Sequence, residues 1–473
     1  NDYGVNHSTL NFPLKFTLIF QIIGQPLHDF IKNTACFPCV YKRGINRRQM
    51  VKGLGMSAAA GAASFLGKGN LVTINEGSSY QSGKADPMKI TKIESIRFNE
   101  KLKIGGGSGG SGSTEFCWIR VYTNNGIVGT GETYPSINGE LGSLKDLATE
   151  YLLGKDPRDI EKIWNGIYKY QTMRNAGGSE MHMQSAIDMA LMDILGKSTG
   201  MPLYRLIGGK TRAKVKVYNT VTDYWAINNT KMGPDTEKIV TFLLDKGITA
   251  MKIYPFRSEG GFISTVGIDN GIEWLRQIDR AAGKKMEILI DGWGGFDLPG
   301  AQRILKACEQ FNVIHAEDIL LPDSAQSYSK LAQETTIPIA HSETMATRYQ
   351  LKDFLEARAV DILMFDICWC GGVTEAKKMC DMADSYHIPA SPHTCGGPLL
   401  YVASAHLCTA IQNFSYMESN YWKYTHQFPY FVTNVPVPVN GYITAPEGPG
   451  LGVEIKEELF RNGDAIVETI AEI

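Results

Sequence analysis

Six polar residues follow short apolar runs at near-even intervals along the second half of the chain. Asp291 ends the run Glu287–Ile290, Glu317 ends Val313–Ala316, and Glu343 follows Ile337–Ser342. Further on, Asp366 ends Ile362–Phe365, His393 follows Ile388–Pro392, and Glu418 ends Asn413–Met417. Successive members stand 26, 26, 23, 27 and 25 residues apart, which is about what one strand–helix unit of a parallel barrel consumes. That spacing places all six at the C-terminal rim of successive strands, where barrels build their sites. An earlier run, Ala250–Tyr254, adds Lys252 and, two residues on and so on the same strand face, Tyr254. Three carboxylates brought together cannot all stay ionised without a compensating cation. The all-oxygen set Asp291, Glu317 and Glu343 suits a hard ion, most simply Mg2+, completed by water and substrate oxygens. His393 and Asp366 fall on neighbouring strands, and a carboxylate on one imidazole nitrogen fixes the tautomer and raises the basicity of the other. That equips a histidine for proton transfer. Glu418, on the last strand, is placed to hydrogen-bond a substrate or, if protonated, to donate to a developing oxyanion.

Eight β-like runs alternate with helix-sized connections after Gly208-Gly209: Val215–Tyr218, Ala250–Tyr254, Glu287–Ile290, Val313–Ala316, Ile337–His341, Ile362–Phe365, Ile388–Ser391 and Asn413–Met417. This predicts an α/β fold, a (β/α)8 barrel over 212–430. An open doubly wound sheet would carry a glycine fingerprint after its first strand, and none is present. Upstream, 88–211 reads as an α+β domain. Met88–Phe98 alternates as a strand does, Gly105–Ser113 is a Gly/Ser loop, and Glu115–Thr123 with Gly126–Glu132 reads as a hairpin. Helical patterning fills 140–199, with a broad apolar stripe along Ser185–Lys197.

Composition narrows the function. The 473 residues are 43% hydrophobic and 20% charged, and 47 basic against 49 acidic residues leave a net charge of −2. That argues against a general affinity for nucleic acid or anionic membrane. Nine cysteines form no paired CxxC sets; Cys36 and Cys39 stand alone, and Cys368 and Cys370, flanking Trp369, read as packing residues. No run of 18 uncharged apolar residues predicts a spanning helix. Residues 1–42 are an unassigned leader. Arg47-Arg48, an apolar pair and Lys52, then the small, weakly hydrophobic stretch Gly53–Gly67, resemble a twin-arginine export signal; with the Gly/Ser/Lys-rich linker 68–87 it makes up 43–87 and predicts a periplasmic location, with the cytoplasm as the alternative.

In their order, Lys252, Asp291, Glu317, Glu343, Asp366, His393 and Glu418 resemble the site residues of the enolase superfamily, mandelate racemase subgroup. Supporting phrases are Ile127-Val-Gly-Thr-Gly-Glu132, Ser185–Lys197, Leu206-Ile-Gly-Gly209 and Glu447–Val453, and the likeness spans roughly 88–460. The resemblance implies a modified barrel beneath a capping domain, to which 431–473 returns. It implies one Mg2+ per subunit on Asp291, Glu317 and Glu343, a His393–Asp366 general-base dyad, and a homo-oligomer. The chain departs from the racemase pattern, Lys-x-Lys on the second strand, by carrying Lys252-Ile253-Tyr254. An unperturbed tyrosine, with a pKa near ~10, is a poor second base. Dehydration needs only one base and one acid, and either His393 in a syn elimination or Tyr254 can serve as the acid. Some sugar-acid dehydratases of the family carry a histidine two residues past the first metal ligand; here Trp293 stands there. The expectation is a Mg2+-dependent acid-sugar dehydratase that converts an aldonate-like substrate to a 2-keto-3-deoxy acid. A racemase, epimerase or cycloisomerase on the same scaffold is the nearest alternative, and an exported sugar-acid binding protein with an inactive site is another. Arg174 and Trp293 are the expected substrate contacts at the mouth, beside Tyr254.

Overall fold

The structure, a computed structural model, describes residues 87–99, 102, 104, 116–134, 138–173, 177–231 and 233–473. The leader and export signal, the Gly105–Ser113 loop and Arg174 lie outside the described residues. Three strands come first: β1 (Ile90–Phe98), β2 (Cys117–Thr123) and β3 (Val128–Thr133). The parallel set follows as β4 (Val215–Thr220), β5 (Ala250–Ile253), β6 (Glu287–Asp291), β7 (Val313–Glu317), β8 (Ile339–His341), β9 (Ile362–Leu363) and β10 (Met417–Ser419). Two more, β11 (Tyr442–Ile443) and β12 (Ala465–Glu472), end the chain.

β12, β1, β2 and β3 make one antiparallel sheet, so the last strand of the chain pairs with the first. The helix Gly178–Thr199 lies on this sheet at a distance only glycine allows. A Cβ on Gly129 or Gly131 would stand 2.1 or 1.9 Å from the helix carbonyls of Ala190 and Ala186. Ile90, Ile93, Ile119 and Val121 from the sheet pack there against Leu144, Ile167, Ile187 and Ile194.

The second sheet is parallel, curled and flanked by helices, in the order β10-β4-β5-β6-β7-β8-β9. Its circuit continues through one residue, Ala390, which bridges Leu363 on one side and Phe414 on the other. The predicted strand Ile388–Ser391 therefore contributes a single bridging position: Pro389 and Pro392 flank it, and proline has no N–H for a ladder. The strands are short and largely buried on both faces, as a sheet enclosed by helices requires. Side chains in the loops after the strands supply the caps that start several connecting helices. Ser264 accepts from the Gly267 amide at 3.1 Å, Asp297 from Gly300 at 2.7 Å and Ser324 from Ser327 at 3.2 Å.

Candidate active site

Strand register brings the rim residues together. β6 and β7 pair Asp291 with Glu317, and β4 and β5 pair Thr220 with Lys252. Lys252 is fully buried, and its ammonium lies 2.8 Å from Glu317, 3.1 Å from Glu418 and 3.2 Å from Asp291. Burial opposes its charge, but Glu317 and Glu418 outweigh that and hold it well above the ordinary lysine range. Glu418 also accepts from the Thr220 hydroxyl and, at 2.7 Å, from the Thr394 amide. Burial works against its charge too, yet Lys252, His393 and these donors pull its pKa down to about 2. Glu418 is thus an anion at neutral pH and acts as an acceptor, which leaves the protonated-donor alternative without support.

The other dyad lies across the site. His393 Nδ1 meets Asp366 Oδ2 at 2.8 Å, and Nε2 faces Glu343 at 3.5 Å and Glu418 at 4.0 Å. Asp366 performs two tasks, since its Oδ1 accepts from the Cys368 amide at 2.6 Å and caps the short helix Ile367–Cys370. That second bond fixes the carboxylate that orients the imidazole. Burial disfavours the imidazolium, but Glu343, Glu418 and Asp366 together hold the pKa well above the ordinary histidine value.

The three acids expected to bind metal are buried, and each has a non-glycine residue of positive φ within two positions. Trp293 has φ +48°, Asp318 +36° and Ser342 +110°, conformations that bulky residues adopt only where the surroundings impose them. Asp291 Oδ1 accepts from the Trp293 amide at 2.8 Å, which explains that turn. Burial first, and then neighbouring acids, raises the pKa of Asp291 and Glu317, and burial brings Glu343 to about 7. Tyr254 is half-buried, its phenol is kept protonated chiefly by desolvation, and its hydroxyl donates to Asp291. Trp293 is 80% exposed at the rim.

Several contributors escape sequence reasoning. Asp318 pairs with His341 at 2.5 Å behind the acids. Lys423 reaches the carbonyls of Cys395 and Gly396 in the loop after His393 and stands 3.7 Å from the Cys395 thiol. Glu132, from β3, accepts from the amides of Gly397, Leu399 and Leu400 at 2.8, 3.1 and 3.2 Å and from Trp118 Nε1 at 2.8 Å. It ties the antiparallel sheet to the segment that carries His393. The compact Gly-Thr-Gly-Glu132 phrase is the one sequence signal of this contact.

Residues 236–459 match the family model of the enolase C-terminal domain-like fold. Residues 99–208 match that of the mandelate racemase/muconate lactonizing enzyme N-terminal domain. The chain is 30% identical over 384 residues to a D-galactonate dehydratase from Pectobacterium atrosepticum, spanning 79% of this chain and 93% of that one. A D-galactonate dehydratase from Ralstonia nicotianae is 29% identical over 380 residues, with the same coverage. Among solved structures, an enolase of the mandelate racemase subgroup from Agrobacterium tumefaciens superposes with a TM-score of 0.71 at 32% identity, covering 81% of this chain and all of that one. The chain belongs to the enolase superfamily, mandelate racemase subgroup.

Members of the superfamily generally use Mg2+. Among the described residues no three His, Cys, Asp or Glu side chains already converge at ligating distance, and the Lys252 ammonium takes the central place. The donor set nonetheless fits such an ion. Five acids, Asp291, Glu317, Glu343, Asp366 and Glu418, face two cationic side chains, Lys252 and His393. Glu317 Oε2 is buried with no hydrogen-bond partner. An orphaned carboxylate oxygen within excess buried negative charge is what a hard cation satisfies.

Proposed function

We propose that this enolase-superfamily protein is an acid-sugar dehydratase that acts on an aldonate, with D-galactonate the first candidate because two relatives carry that name. The observation that carries the reading is the pairing of one oriented base, His393–Asp366, with a cluster of buried acids and a single buried lysine. Asp291, Glu317 and Glu343 would hold one Mg2+, which when bound supplies positive charge to a carboxylate whose α-proton is being removed. His393 Nε2 takes that proton while Asp366 holds Nδ1–H and the ring orientation. Lys252, kept charged by Glu317 and Glu418, donates to the substrate carboxylate as charge develops on it. The imidazolium then returns the proton to the β-hydroxyl, which leaves as water; the enol left behind becomes a 2-keto-3-deoxy acid. Two observations favour His393 over Tyr254 as this acid. The surroundings favour the imidazolium, and the Tyr254 hydroxyl is engaged with Asp291. Tyr254 and Trp293 take the places of the racemase's second lysine and of a second histidine, and neither gives a competent base on the opposite face. That weighs against racemisation.

The test is a panel of aldonates and aldarates with Mg2+ in deuterated water. Keto-acid release is the expected outcome; α-proton exchange without keto acid would instead establish a racemase, and binding without either a binding protein. His393→Asn is expected to abolish turnover and keep Mg2+-dependent binding, and Tyr254→Phe to keep most turnover. We also infer export through the twin-arginine segment and a homo-oligomeric assembly. Cell fractionation and light scattering check these, and a protein found wholly in the cytoplasm, or a monomer, would overturn them.

A further inference from the structure

Three aromatic rings from separate segments meet beside the base. Trp369, on the helix capped by Asp366, lies 6.3 Å from the His393 ring, with the planes tilted by 57°. Tyr134, just past β3, stacks on the indole at 5.9 Å, and His182, on the helix Gly178–Thr199, stacks on it at 5.2 Å. His182 Nδ1 meets the buried carboxylate of Glu140 at 2.9 Å. Among the described residues the His182 ring makes no other hydrogen bond, and its side chain keeps 13% of its surface exposed. The arrangement repeats that of His393 and Asp366, one indole away. In the tautomer that donates Nδ1–H to Glu140, Nε2 carries the ring's lone pair, an acceptor for a hydroxyl. The substrate's carboxylate belongs with Lys252 and the acids and its α-carbon with His393. A polyol chain that extends past His393 along the edge of this aromatic stack would reach His182 next.

We propose that His182, held by Glu140, binds a distal hydroxyl of the sugar acid and sets the preference for longer chains. This rests on the dehydratase reading. The experiment compares His182→Phe, which keeps the stack and removes the nitrogens, and Glu140→Gln with wild type. Each is assayed on a six-carbon aldonate and on glycerate, which has an α-proton and a β-hydroxyl but no distal one. Circular dichroism confirms folding, and calorimetric affinities in Mg2+ accompany kcat and KM. Expected for His182→Phe is a KM for the long acid raised about fivefold, the loss of one modest hydrogen bond. Its kcat and all glycerate parameters stay near wild type, and Glu140→Gln shifts the same KM in the same direction. Equal effects on both acids, or none on either, overturn the proposal while wild-type turnover leaves the dehydratase reading intact. Wild-type protein that neither binds nor converts any aldonate overturns both.

Discussion

His393 is surrounded by charges that all favour its protonated form, so the residue needs a carboxylate partner for orientation more than for basicity. Asp366 supplies that, through one oxygen on Nδ1 and the other on the Cys368 amide. Asp366→Asn keeps the shape but presents an amide to Nδ1 and so permits the wrong tautomer. The expected loss in kcat is on the order of 10²–10⁴, with the Mg2+ affinity unchanged, read by steady-state kinetics and calorimetry. A variant with wild-type kcat would remove Asp366 from the mechanism. The sign of the pH dependence follows from the same contacts. A base acts only when neutral, and Glu343, Glu418 and Asp366 raise the pH at which the imidazolium releases its proton. Activity therefore falls as pH drops through that value, and removing the Asp366 charge moves this acid limb to lower pH.

At the scale of elements, Glu132 couples the antiparallel sheet to the barrel. It reaches across 265 residues of sequence to the Gly397 amide and satisfies the first amides of the helix Pro398–Ala410. Glu132→Ala strands three amides and the Trp118 indole N–H in a buried site. The expected cost is about 3–5 kcal/mol, measured by denaturant unfolding, with kcat reduced as well because the same segment carries His393. A loss under about 1 kcal/mol would mean that water replaces the carboxylate. This contact also marks where sequence reading ends. The rim acids are legible because strand-end spacing is a property of chain length and of period-two patterning, which one sequence displays. The seventh strand position of the barrel, at Ala390, is less so, since a one-residue bridge between prolines has no periodicity to read. The central place of Lys252 depends on the register of four strands, and the left-handed turns at Trp293, Asp318 and Ser342 on tertiary packing that no local propensity encodes.

For the whole molecule, the balance of buried charge ties folding to metal. Overall net charge is only −2, yet Asp291, Glu317 and Glu343 are crowded and desolvated at one end of the barrel, each with a raised pKa. A raised carboxylate pKa means that the folded state binds protons more tightly than the unfolded chain, so this cluster destabilises the fold increasingly as pH rises from about 4 through 7. A divalent cation bound by these acids in the folded state alone reverses that cost. At a hundred times its Kd it adds about 2.7 kcal/mol, a rise of several degrees in thermal midpoint. The gain should be large at pH 8 and small at pH 5, where protons compete for the same oxygens. Glu317→Gln should abolish the gain and, having lost one crowded charge, unfold no earlier than the metal-free wild type at pH 8. Thermal melts with Mg2+ and with chelator at the two pH values decide it. A midpoint indifferent to Mg2+ at pH 8 would separate the acid cluster from any metal and leave Lys252 and His393 as its counterions.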